Sequence, residues 1–365
     1  MIEGIRRVNP EAWHTLREIL TKLGLSVRKI LPETIAIITA FLIGAIALLI
    51  TGYPPVEAYS AMISGAFGDV FGIGQTLTQA TPIIFTALAF LFAFKSGLFN
   101  IGAEGQLLVG AFASALIGIS FNNLPVYIHL PLALLAGALA GGFWGFIPAV
   151  LKVKLGAHEV ITTMMLSYVA SNLTSYMVNY PFKAPGWVPQ TIVVAPSAEL
   201  PRILQPTQLS ASIIIAVALA WFTDYMLKKT TLGYEVRAVG LNPSAAESSG
   251  ISVKKGMILA LVISGAIAGL GGAGEVLGVH RRFIEGFSPG YGWDGLAVAL
   301  IGRLHPVGVV FAAILFGALR SGGMVMTRAT GVPLDIINML QALVVILIAA
   351  PKLIRYLLKR GGFKW

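Results

Sequence analysis

From residue 33 to residue 350 the chain reads as long apolar runs separated by short breaks rich in glycine, proline and charge. Ten runs stand out, at roughly 33–52, 76–94, 102–120, 129–151, 158–180, 208–227, 256–279, 288–302, 305–320 and 333–350. Most are long enough to cross a hydrocarbon core of about 30 Å as helices. The eighth and ninth are short, which suits half-spans or a re-entrant pair. Ten-residue stretches of alternating polarity are lacking, so an outer-membrane barrel is excluded. The pattern predicts an all-α polytopic membrane protein of about ten helices, some short or broken. An N-terminal arm would cover 1–30, a membrane domain 31–351 and a basic tail 352–365.

Composition sharpens this. Apolar residues make up 56% and charged residues 12% of the sequence, and mean hydropathy is +0.82; a soluble chain carries about 25% charged residues. The net charge of +10 does not point to nucleic acid, because the basic residues sit between and beside the apolar runs. With the N-terminus placed inside, most of the 26 Lys and Arg fall on inner segments, as the positive-inside rule requires. Lys95, Lys152, Lys154, Lys228, Lys229, Arg237, Lys254, Lys255 and Arg303 are among them. Lys183, Arg202, Arg281, Arg282, Arg320 and Arg328 would lie outside. An even number of spans follows, with both termini inside. The first 30 residues are charged and run into a full span, so no cleavable signal is expected. Asn9 and Pro10 suit the start of an interfacial helix over 9–30. The sequence has no cysteine, which excludes disulfides and thiolate chemistry.

Small residues recur every fourth position at Gly137, Gly141 and Gly145, at Gly265 and Gly269, and at Gly274 and Gly278. Such ridges let helices approach closely in lipid. Four acids sit in or beside the runs: Glu104, Glu159, Asp294 and Asp335. Each follows a helix break, so each would occupy a first turn, where the free N–H groups and the dipole favour negative charge. Ala103-Glu104-Gly105 and Trp293-Asp294-Gly295 open runs three and eight. Glu159-Val160-Ile161 and Asp335-Ile336-Ile337 open runs five and ten. That correspondence predicts an inverted repeat of runs 2–5 and 7–10. The same acids could instead carry a proton or ion, so an ion-coupled transporter using Glu104, Glu159 or Asp335 stays open. His158 and Glu159 point about 100° apart on a helix and do not form an acid/base pair. Neither a metal motif, a nucleophile elbow nor a GxxxxGK[ST] phosphate loop occurs. Any ATP that drives this protein must therefore bind another chain.

The basic loop 228–256 holds a helix with its own punctuation. Asn242 suits the N-cap, Pro243 the first position, Ala245, Ala246 and Glu247 the body, and Gly250 the C′ position. A capped helix inside a cytoplasmic loop suits docking to a cytoplasmic partner.

Gly97-Leu98-Phe99-Asn100-Ile101-Gly102-Ala103-Glu104-Gly105-Gln106 resembles the signature of the nucleoside and simple-sugar importer permeases of the ATP-binding-cassette superfamily. The stretches Gly156–Thr163, Ala246–Ile251 and Gly272–His280 are similar to the same family, and the resemblance runs from about 76 to 350. It implies a permease subunit without its own ATPase site or cofactor. ATP and magnesium would be held by a partner ATPase, a second related permease would complete the pore, and an extracytoplasmic lipoprotein would deliver substrate. The helix at 243–250 would be the coupling helix. A nucleoside is the expected substrate, with a simple sugar such as ribose as the alternative. Aromatic and amide groups suited to a base are Asn100, Gln106, Asn172, Trp293, Asn338 and Gln341. Glu104, Glu159 and Asp294 join them as pathway candidates.

Overall fold

The structure is a computed structural model that describes residues 34–121 and 123–349. These form helices α1 (Thr34–Ile50), α2 (Pro55–Phe67), α3 (Val70–Phe94), α4 (Ala103–Ser120), α5 (Val126–Leu155), α6 (Glu159–Asn179), α7 (Ser212–Lys229), α8 (Thr231–Leu241), α9 (Pro243–Ser248), α10 (Val253–Gly274), α11 (Tyr291–Ile301), α12 (Pro306–Thr330) and α13 (Leu334–Ala349). A π-helical turn, Glu275–His280, extends α10. Among the described residues the β-structure is limited to two isolated bridges, Gln190 with Ile284 and Arg202 with Ser210. The expected interfacial helix at 9–30 and the basic tail lie outside the described residues.

The helices divide into two compact units. One is Val56–Gly331; α1 and α13 belong to the other. Each of the ten apolar runs is a helix. Five stretches are long and apolar enough to cross a membrane: α3, α4, α5, α10 with its π turn, and α12. α6 is comparably long at 21 residues, but hydroxyl and amide side chains lower its apolarity. α7 carries Asp224, Lys228 and Lys229 near its end.

Several boundaries differ from expectation. α3 begins at Val70 rather than near 76, because Asp69 caps it, its Oδ1 accepting from the Gly72 N–H at 2.6 Å. α7 begins at Ser212 rather than near 208. α11 is a half-span of 11 residues, about 16 Å long. α12 is not short: it runs for 25 residues. Arg320 and Arg328 therefore lie inside a helix and not in an outer loop. A charge can sit there because Arg320 Nη2 stands 3.0 Å from Asp294 Oδ2, and its guanidinium lies 5.4 Å from the centre of the Tyr291 ring. α2 and α8 were not foreseen.

Within the Val56–Gly331 unit, α3 is the most enclosed helix, and α5 and α10 meet along a glycine seam. A methyl group on Gly269 would stand 2.2 Å from the Gly137 carbonyl oxygen, and one on Gly141 2.4 Å from that of Gly265. The two backbones touch directly, as the four-residue spacing predicts. α4 packs on the same pair: a methyl on Gly272 would meet the Leu107 carbonyl oxygen at 2.0 Å.

Candidate functional site

The polar cavity of this unit follows from how α4, α6 and α11 begin. Gly97, at φ +80°, lets the chain turn sharply after α3. Asn100 then fixes the next bend. Its Nδ2 donates to Gln106 Oε1 at 2.8 Å and to Ser264 Oγ at 2.7 Å. Its Oδ1 accepts from the Gly102 N–H at 3.0 Å, and Ser264 Oγ donates on to the Ala89 carbonyl at 2.6 Å. The network ties the start of α4 to α3 and α10, and it leaves Asn100 only 1% exposed. Four residues after Asn100, Glu104 reaches across to α11, where its Oε2 accepts from the Gly292 N–H at 2.6 Å.

Beside that junction lies a cavity of about 530 Å³. α4 contributes Glu104 and Leu108. α6 contributes Ser167, Tyr168, Ser171, Asn172, Thr174 and Ser175, and the 283–293 segment adds Phe283, Glu285, Ser288 and Trp293. Ser167 and Ser175 lie about 12 and 24 Å along α6 from its start. The cavity therefore runs along the middle and far part of that helix, and the irregular backbone of residues 281–290 lines it from the other side. This segment is pinned on its far side. Thr191 N–H donates to the Phe283 carbonyl at 2.9 Å, Val194 N–H to Arg281 at 2.9 Å, and Glu285 N–H to Pro189 at 3.0 Å. On its near side Glu285 accepts from the Ser175 hydroxyl and, at 3.0 Å, from Asn179 Nδ2. Those two donors hold its carboxyl below the usual carboxylate range.

The expected pathway residues separate. Glu104, Asn172 and Trp293 line the cavity. Asn100 and Gln106 do not; they are the buried bend described above. Glu159 is instead 2.7 Å from Lys152 Nζ, across the turn between α5 and α6. Asp294 is spent on Arg320. Asp335, Asn338 and Gln341 lie on α13, in the other unit: Asp335 and Asn338 are exposed and Gln341 is buried. All four acids do fall in the first turns of their helices. The sequence reading missed the hydroxyl row Ser167, Ser171, Thr174 and Ser175. Its signal was present, polar groups three or four apart on one face of an otherwise apolar helix. It also missed Glu285 and Ser288, which come from irregular backbone with no period to read. Glu275, on the π turn, is 2% exposed with His280 Nε2 3.7 Å from its Oε2.

At one end of the unit the basic residues gather. Asp224 sits 2.7 Å from Lys228 and 3.7 Å from His305, which joins the end of α7 to the start of α12. Burial first, then Arg237 and Lys228, push the Lys95 ammonium below its usual range. α9 projects here. Asn242 Oδ1 accepts from the Ala245 N–H at 3.2 Å, Pro243 opens the helix, and Gly250 takes φ +81° beyond its end. Ala245 and Glu247 are exposed, whereas Ala246 is 4% exposed and faces inward. The preceding helix, α8, is capped by Thr230, whose Oγ1 accepts from the Gly233 N–H at 3.1 Å. It lies against the turn after α3 so closely that a methyl on Gly240 would stand 2.2 Å from the Lys95 carbonyl oxygen. Contact therefore runs from α9 through α8 to the turn at Lys95–Gly97, and on through Asn100 to Glu104 at the cavity.

Apolar helices around a polar cavity, with a capped helix projecting from the basic end, are the architecture of a membrane transport subunit. The chain belongs to the family described as the branched-chain amino acid transport system / permease component, which matches residues 72–349. It is a multi-pass membrane permease. It is 41% identical over 341 residues to the guanosine ABC transporter permease protein NupP of Bacillus subtilis, covering 91% of this chain and 97% of that one. A second guanosine permease of the same organism, NupQ, is 30% identical over 68% of this chain and 80% of its own. The glucose permease TsgB13 of Haloferax volcanii is 36% identical over 89% of this chain and 90% of its own. No solved structure matches.

Proposed function

We propose that this permease forms the pore of an ATP-driven nucleoside importer together with a second, related permease. A separate ATPase would bind ATP and magnesium and act on α9, and an extracytoplasmic lipoprotein would deliver substrate. The cavity carries this reading. Its Trp293 and Tyr168 rings can stack on a base, while Asn172 and the α6 hydroxyl row can satisfy a base edge and a ribose. The likeness to NupP exceeds that to the glucose permease, and the match to both NupP and NupQ supports a paired pore. The basic end that carries α9 is the cytoplasmic one on the positive-inside rule, with both termini on that side. The inverted repeat is supported by the matched first-turn acids. Ion coupling is disfavoured, because Glu104 and Glu159 are engaged by the Gly292 N–H and by Lys152.

The test is uptake by the assembled complex in vesicles, with unlabelled nucleosides, ribose and glucose as competitors. Nucleosides should compete; competition by a sugar alone would overturn the substrate assignment. Glu247→Arg is the clean probe of coupling, because Glu247 is exposed whereas Ala246 supports the fold of α9. Uptake should fall at least tenfold with the complex still co-purifying. Normal ATP-dependent uptake would remove α9 from the drive.

A further inference from the structure

The cavity has a one-sided electrostatic character. Of its fifteen lining residues two are carboxylates, Glu104 and Glu285, and none is Lys, Arg or His. Of the nearby cations, Arg281 Nε is 3.1 Å from Glu199 and Arg320 is paired with Asp294, while Arg282 is half-buried on the same segment and does not line the cavity. A second cavity of about 630 Å³ near the other ends of α3 and α12 is balanced, with one Asp69 and one Arg328 among its glutamines. That second cavity does not share the bias.

A helix N-terminus would ordinarily attract an anion, and α11 begins at the cavity wall. That attraction is already used. The Gly292 N–H is taken by Glu104. The Gly290 and Tyr291 N–H groups donate to Ser288 Oγ at 3.3 and 3.2 Å, and the Trp293 N–H donates to the Gly290 carbonyl at 3.0 Å. A phosphate entering the cavity would find hydroxyls and the exposed Glu285 carboxylate, but no free backbone donor at α11 and no lining cation.

We infer that the cavity is an anion-rejecting filter: it passes uncharged, hydroxyl-rich solutes with a stackable ring and turns back their phosphorylated forms. This rests on the cavity lying on the substrate path. Glu285 stands at the rim, held ionised by Ser175 and Asn179, and Glu104 forms the inner wall. A nucleoside crosses such a site without a Coulombic cost, whereas a nucleoside monophosphate meets repulsion from Glu285 at close range.

The absence of cysteine from the native sequence gives a direct test. Ser171→Cys, and separately Asn172→Cys, would be introduced into the assembled complex in membranes. Each would be modified with the cationic trimethylammonium-ethyl and the anionic sulfonato-ethyl methanethiosulfonate reagents. The cation-to-anion rate ratio, divided by that for a small free thiol, should be roughly tenfold above unity. Glu285→Gln should reduce that excess by at least half. A normalised ratio of one or below at both positions, or an excess indifferent to Glu285→Gln, would overturn the filter. Uptake after modification separates the two readings. Block without charge bias would remove the filter and leave the path. Bias without block would place the cavity off the path and remove both.

Discussion

Asp294 and Arg320 show how a single residue changes the picture. Read from sequence, Arg320 ended a run and marked an outer loop, because an unpaired charge does not belong inside an apolar helix. Its partner lies 26 positions earlier on a helix that only folding brings near. Asp294→Asn leaves the guanidinium without its counter-charge, so thermal unfolding in detergent should show a loss of about 3 kcal/mol. Asp294→Asn combined with Arg320→Gln should recover part of it. Glu285 makes a different prediction. Its carboxyl pKa is lowered in the folded state, so its clasp contributes fully above the unfolded pKa and is lost as pH falls through the folded value. The melting temperature of the native protein should exceed that of Glu285→Gln at neutral pH, and the gap should close below about pH 4. A gap that widens in acid would contradict the clasp. Glu104, Asn172 and Trp293, singled out in the sequence as pathway candidates, line the cavity. Asn100 and Gln106 were singled out with them and form a buried bend instead, since an amide at a bend and an amide facing a substrate look alike until their partners are known.

Helices in this protein were legible where apolarity and length coincide, and α9 was legible because its caps are explicit. α8 was hidden by its two glycines, one of which, Gly240, is there for contact with Lys95. α2 was hidden by shortness, between Pro54–Pro55 and Gly68. That the glycine ridges of α5 and α10 pack closely was legible from their spacing; that they face each other was not. Gly269→Ala should lower the melting temperature in detergent, because its methyl would collide with the Gly137 carbonyl, which is backbone and cannot rotate aside; a cost of about 1–3 kcal/mol is expected. Gly142→Ala, whose methyl would meet nothing nearer than 3.2 Å, should cost less. Equal losses would show that the seam is not the tight point. α6 was legible as a helix but not as the polar wall of a cavity, because its hydroxyls are individually unremarkable and acquire meaning only as a row.

For the molecule as a whole, the fold class follows from hydropathy, whereas the site depends on three helix starts that the chain visits far apart. Tagged from its own membrane, the permease should co-purify with an ATPase and a second permease. Recovery of uptake by the purified chain alone under an ion gradient, without ATP, would contradict the importer reading. The glycine seam bears on how such a machine moves. Where backbone meets backbone there are no side chains to change rotamer and no slack to take up, so α5 and α10 behave as a keel. If α9 receives the stroke, as proposed above, this pair would pass it on undeformed, and the change of shape would fall on the turn at Lys95–Gly97, where α8 presses on the backbone.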